Sequence, residues 1–117
     1  MKTVIAGSRG ITDYEYLCKC MKELDFSPTL VISGGAKGVD SLGEWWAQER
    51  GILVKVYPAN WSKYGCASGH IRNEEMAKVC DAIVVIWDGR SPGSKGMISL
   101  GLKYKRIVKV FNYEKLS

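Results

Sequence analysis

Three glycine-and-polar segments carry the residues best suited to chemistry: Gly7-Ser8-Arg9-Gly10, Ser33-Gly34-Gly35-Ala36-Lys37-Gly38-Val39-Asp40 and Asp88-Gly89-Arg90-Ser91-Pro92-Gly93-Ser94. Each follows a short apolar run. Glycine lets a backbone approach a ligand closely, and a helix that opens just after such a turn aims unpaired N–H groups and its positive dipole end at whatever sits there. The chemistry these segments could do is anion binding. One such loop serves a tight turn as readily as a ligand, but three in one small domain point to a phosphate-bearing molecule. Ser91, Gly93 and Ser94 would hold a phosphate through N–H groups and the Ser94 hydroxyl. Ser8 and Arg9 would fix a second phosphate or a ribose, and Asp40 or Asp88 would accept from sugar hydroxyls.

A fourth segment, Arg72-Asn73-Glu74-Glu75-Met76, adds direction. At 3.6 residues per turn, Arg72 and Asn73 share a helix face with Met76, Val79 and Cys80, the face that packs on its neighbours. Both polar residues open that face at the helix N-terminus and so project toward the loops. An arginine there can pair bidentately with phosphate or carboxylate, or it can bridge to Asp40 or Asp88 and hold loops together.

Parallel strands supply what such loops need. Thr3–Ala6, Leu30–Ser33, Leu53–Tyr57, Ile83–Trp87 and Ile107–Phe111 are short, nearly continuous apolar runs, as expected of strands covered on both faces. Amphipathic stretches alternate with them. The first carries Tyr14, Leu17, Cys18, Met21 and Leu24 as one stripe, with Thr12 and Glu15 as a capping box. The second runs from about Val39 to Arg50 with Val39, Leu42 and Trp46 inward and Gly51 as its stop. The third, about Ile71 to Cys80, buries Met76, Val79 and Cys80. The fourth, about Lys95 to Tyr104, buries Ile98, Gly101 and Leu102. On its opposite side Met97, Leu100 and Tyr104 make a second apolar stripe, which predicts a homodimer or higher oligomer through that face.

Alternating strands and helices with right-handed crossovers predict an α/β fold: a Rossmann-like three-layer sandwich, one domain over 1–117, with a five-stranded parallel sheet in order 3-2-1-4-5. The topological switch then falls between strands one and four, whose ends carry Gly7-Ser8-Arg9 and Asp88-Gly89. Pro58 to His70 is the long connection, and Trp61 and Tyr64 within it could cover a base.

At 117 residues the chain is long enough for a core without disulfide or metal staples. Cys18, Cys20, Cys66 and Cys80 lack CxxC spacing and His70 stands alone, so neither a metal nor another cofactor is expected; Cys18 and Cys80 read as reduced core thiols. No apolar run approaches the roughly 20 residues a membrane helix needs, and the start reads as a strand, which predicts a cytoplasmic protein with no membrane partner. Net charge is +5, with Lys103, Lys105, Arg106 and Lys109 crowding the last quarter. Nucleic acid is therefore a second candidate partner, although no aromatic platform is interleaved with the basic residues.

Taken in order, the Gly7-Ser8-Arg9, Ser33-to-Asp40, Pro58-Ala59-Asn60-Trp61, Arg72-Asn73-x-x-Met76 and Asp88-to-Ser94 segments resemble the SLOG superfamily of Rossmann-like domains, above all its small YspA-related branch of bacteria and phages. The resemblance implies a nucleotide-like ligand. Two better-understood relatives share parts of it. The cytokinin-activating phosphoribohydrolases have a similar arginine segment and a glycine-threonine turn followed by a glutamate, and that resemblance makes Arg72 a candidate catalytic residue. Here Lys95, Gly96, Met97 and Ile98 follow Ser94 with no acid, so a hydrolase would need Asp40, Asp88, Glu74 or Glu75 instead, the last two expected to face solvent. The Rossmann domain of DprA, which binds single-stranded DNA, has similar Gly-Ser-Arg, Ser-Gly-x-Ala and Arg-Asn segments.

Overall fold

A computed structural model describes residues 1–114. Five strands, β1 (Lys2–Gly7), β2 (Leu30–Ser33), β3 (Leu53–Val56), β4 (Ala82–Trp87) and β5 (Ile107–Asn112), form one parallel sheet in the order β3-β2-β1-β4-β5. The helices are α1 (Tyr14–Lys22), α2 (Val39–Glu49), the short α3 (Trp61–Tyr64) with a 3₁₀ turn at Gly65–Ala67, α4 (Ser68–Val79) and α5 (Pro92–Lys103). This is the Rossmann-like α/β fold that the alternating pattern predicts. No helix among the described residues is long and apolar enough to cross a membrane.

Side chains alternate across each strand, so the sheet feeds two cores. Ile5, Val31, Val84 and Ile86 pack with Leu17 and Met21 of α1 and Val39, Trp46 and Ala47 of α2. Val4, Ala6, Ile32, Ile83 and Val85 pack on the other side with Met76 and Ala77 of α4 and Met97 and Leu100 of α5. Strands buried on both faces have no room for polar alternation, which is why β1, β2 and β4 read as unbroken apolar runs.

Three local expectations give way to the structure. The N-cap of α1 is Asp13 rather than Thr12: the Asp13 carboxylate accepts from the Tyr16 N–H at 3.0 Å. Helix α4 begins at Ser68, three residues before the expected start, and Val79 is exposed while Met76, Ala77 and Cys80 are buried. Helix α5 begins at Pro92 rather than Lys95, and its phase differs from the expected one.

The phase of α5 follows from Gly101. A Cβ there would lie 2.6 Å from Val108 Cγ2 and 2.9 Å from Ile83 Cδ1, so the helix touches the sheet closely at that glycine. Ser94 and Met97, seven and four residues earlier, share its face. Met97 and Leu100 are buried, Tyr104 is half-buried with its hydroxyl donating to Glu74 at 2.7 Å, Ile98 is half-buried, and Leu102 is 67% exposed. The stripe expected to meet another copy of the chain therefore packs inside one copy. Leu102, expected inside, faces outward.

Helix α4 is closed from a distance. Arg106 donates from Nε to the Ala77 carbonyl at 2.9 Å and from Nη2 to the Lys78 carbonyl at 2.7 Å, pairing carbonyls that a helix terminus otherwise leaves open. Cys20 and Cys80 are buried and Cys18 half-buried, all as free thiols. Burial raises the Cys20 and Cys80 thiols to about 11, the state of inert core residues.

Candidate functional site

Ser8 ties the loops at the C-terminal edge of the sheet together. Its N–H donates to Ile86 O at 3.1 Å, its carbonyl accepts from Ile11 N and Val39 N at 3.3 Å each, and its hydroxyl accepts from Asp88 N at 3.1 Å. The β1 loop, the start of α2 and the β4 loop thus meet at one 1% exposed serine. Gly38 completes the junction: its φ is +75°, and a Cβ there would run into the Ser8 and Arg9 carbonyls.

A second junction centres on Gly34. A Cβ at that position would sit 2.6 Å from Arg72 Nη1 and 2.8 Å from Asp40 Oδ2, so the glycine makes room for a guanidinium and a carboxylate at the same spot. Arg72 projects from the first turns of α4, as its helical phase predicts, donating from Nη1 to the Gly34 carbonyl and from Nε to Asn73 Oδ1 at 2.8 Å. Asp40, in the first turn of α2, is 5% exposed and accepts from the Ala36 N–H at 3.3 Å. Burial pushes the Asp40 carboxyl above its ordinary range against the opposing pull of that N–H and of Arg72. Burial likewise lowers Arg72 from its ordinary value, while Asp40 raises it.

The third wall is the start of α5. Asp88 Oδ1 accepts from the Arg90 and Ser91 N–H groups at 2.8 and 2.9 Å, which holds its carboxyl below the ordinary range and shapes the turn. Trp87 Nε1 donates to the Ser91 carbonyl at 3.0 Å, and the Ser94 hydroxyl donates to Ser91 Oγ at 3.3 Å. Pro92 stands in the first turn, and the first intrahelical bond is Lys95 N to Ser91 O at 3.2 Å. The Gly93 and Ser94 N–H groups precede that bond, with no intrahelical acceptor of their own.

Between these walls lies a cleft of about 630 Å³, at the switch between β1 and β4. Gly7, Ser8, Arg9, Ala36, Asp40, Arg72, Asn73, Asp88, Ser91, Gly93 and Ser94 line it, all of them candidates from the sequence. Gly34, Gly35 and Lys37 line an adjoining cleft of about 440 Å³. Gly38 and Gly89 line neither; Gly38 serves the loop junction, and Gly89, with φ +82°, serves the turn after β4. Trp61 lines both clefts, whereas Tyr64 lines neither.

The sequence reading missed His70, Gly69, Pro92 and Met97 as lining residues. In the sequence His70 stands out only as a lone potential metal ligand. It stands on the first turn of α4, two residues before Arg72, a position visible only once α4 is started at Ser68. Glu74 does not face solvent alone as expected: Tyr104, Lys78 and His70 engage it, at 2.7, 3.7 and 3.8 Å.

Residues 1–64 match the model of the YspA, cpYpsA-related SLOG family. The chain belongs to that family. The matched span carries the first two glycine segments and Trp61, while Arg72 and the α5 turn lie beyond it. The fold is also similar to the X-ray structure of DNA processing protein A (DprA) from Streptococcus pneumoniae, with a TM-score of 0.77 and 19% identity, over 99% of this chain and 52% of that one. The SLOG chain thus spans about half the length of that neighbour. No curated protein matches it.

Chemically, the SLOG cleft offers two guanidinium groups, two unpaired N–H groups and two carboxylates. Asp40 is held by Ala36 N–H beside Arg72, and one Asp88 oxygen is committed to its own turn. On α5, Lys95, Gly96, Met97 and Ile98 follow Ser94, so no carboxylate stands one turn in from the N–H groups.

Proposed function

We propose that this cleft binds a phosphorylated nucleoside or a nucleotide-derived ligand, and that the protein works as a sensor or weak hydrolase of it. One observation carries the reading. Arg9, Arg72 and the first turn of α5 with Gly93 and Ser94 line a single cleft at the topological switch, where open α/β sheets hold ligands. Membership of the SLOG family supports the same class. The absence of an acid after Ser94 favours binding over cleavage, because splitting a glycosidic bond through an oxocarbenium-like transition state calls for a carboxylate near the anomeric carbon. In this reading Arg72 pairs with phosphate and Asp40 or Asp88 accepts from sugar hydroxyls. The likeness to a DNA processing protein and the net charge of +5 favour a second reading, a single-stranded nucleic-acid-binding module.

A thermal-shift panel of nucleoside mono- and diphosphates, ADP-ribose and NAD separates the two. At least one phosphorylated compound should raise Tm, since a ligand at about 100 times its Kd adds about 2.7 kcal/mol. Stabilisation by short single-stranded DNA alone would favour the second reading.

A further inference from the structure

We infer that the adjoining 440 Å³ cleft is the ring-binding half of the site, the part that takes the nucleobase, and that the larger cleft takes the sugar phosphate. The inference rests on the proposed nucleotide-like ligand and deepens it. The two clefts adjoin: Arg9, Ala36, Trp61 and Arg72 wall both of them. Their chemistry differs. The larger cleft holds the α5 turn, Asp40 and Asp88, suited to phosphate and hydroxyl groups, and the Met76 and Met97 side chains beside them are buried, at 1% exposure each. The smaller one is lined by Val56, Pro58, Ala59 and Trp61, with Lys37.

Val56 and Trp61 are 44% and 54% exposed, large apolar surfaces left open at the same place. Gly35 lies against Val56; its φ is +74°, and a Cβ there would touch Val56 Cγ1 at 3.0 Å. A flat ring inserted between Trp61 and Val56 would cover both, and aromatic stacking of this kind tolerates any base. Arg72 already spends Nη1 on Gly34 and Nε on Asn73, which fixes its guanidinium at the boundary between the two halves. A phosphate paired there would leave the attached nucleoside beside the cleft that Val56 and Trp61 line.

Isothermal titration of the whole chain with ribose 5-phosphate and with AMP, GMP, CMP and UMP tests this. Ribose 5-phosphate fills only the larger half, so at least one nucleotide should bind about tenfold more tightly than it. Val56→Ser, which strips the apolar wall, and Ala59→Gln, which fills the small cleft, should each erase about tenfold of nucleotide affinity. Neither should change ribose 5-phosphate affinity by more than about twofold. Both positions lie at the surface end of β3 and the loop after it, and unchanged melting temperatures would show that the fold is intact; one folded variant suffices. If ribose 5-phosphate binds and no nucleotide binds better, or if both variants keep the full nucleotide gain, the base lies elsewhere and the inference falls while the phosphate site stands. Binding by none of the five compounds, together with no shift from the diphosphates, ADP-ribose or NAD, overturns the site itself.

Discussion

Ser8 and Asp88 are joined across the crevice: the serine hydroxyl, 1% exposed, accepts the aspartate N–H at 3.1 Å. This bond links the loop after β1 to the loop after β4, the two strands that flank the topological switch. Ser8 thus acts as a structural tie. Ser8→Ala should cost about 1 kcal/mol or more of stability, since it leaves the Asp88 N–H without its acceptor. Urea denaturation measures this, and an unchanged midpoint would show that the loops hold without it.

Arg72 is expected to serve both fold and ligand. Arg72→Ala should weaken a phosphorylated ligand by about 1.5–3 kcal/mol, the range for hydrogen bonds to charged groups. The loss of its bond to Gly34 should also lower Tm. Arg72→Lys should not rescue binding, because an ammonium cannot reproduce the planar fork that meets Gly34, Asn73 and an anion together. Full affinity in the lysine variant would reduce Arg72 to a point charge.

Gly34→Ala isolates geometry from charge. The new methyl would sit 2.6 Å from Arg72 Nη1 and 2.8 Å from Asp40 Oδ2, so the guanidinium must move although no charge has changed. Ligand affinity should fall about tenfold or more. Titration calorimetry that returned wild-type affinity would place the working position of Arg72 elsewhere.

Asp40 sets a pH dependence with a defined sign. Burial raises its carboxyl above the unfolded value of about 3.9, so between that value and the raised one the folded state binds more protons than the unfolded chain. Stability from this group therefore falls as pH rises through the window, and is recovered as pH falls back toward 4. Asp40→Asn cannot titrate, so the difference between variant and wild type should grow in the variant's favour from pH 4 upward until Asp40 is fully ionised. Parallel stability curves over pH 4–8 would mean that Arg72 and the Ala36 N–H fully offset the burial.

Met97 lies 1% exposed on the sheet-facing side of α5. Met97→Ala should destabilise the single chain by about 2–5 kcal/mol, the range for large-to-small core changes. Light scattering should show the same mass for variant and wild type. A change in mass without a change in stability would return Met97 to an interface between copies.

Strand positions and strand order were legible because β1, β2 and β4 are buried on both faces and so have an unmistakable composition. Arg72 was legible too: once its helix and period are known, its direction follows. Helix phase was harder. Apolar residues at 97, 98, 100, 102 and 104 support two stripes on α5, and the burial of Ser94, Met97 and Leu100 beside Gly101, which touches Val108 and Ile83, selects one. Ser68-Gly69-His70 reads as loop, which hid the true start of α4 and with it the position of His70. Gly38 and Gly89 look the same in sequence as the lining glycines; their backbone roles appear only when the loops are seen together.

The two walls of the crevice come from opposite halves of the chain. β1 and β2 with their glycine loops precede residue 40, whereas Arg72, Asp88 and the α5 turn follow residue 70, and α4 is closed at its far end by Arg106. Chains are made from the N-terminus at about 5–20 residues per second. The half matched by the family therefore leaves the ribosome first and, for several seconds, displays its loops without their counterpart. The cleft exists only once β4 has paired with β1 and the helices that carry Arg72 and Ser94 have packed on the sheet, so neither half of the chain builds it alone.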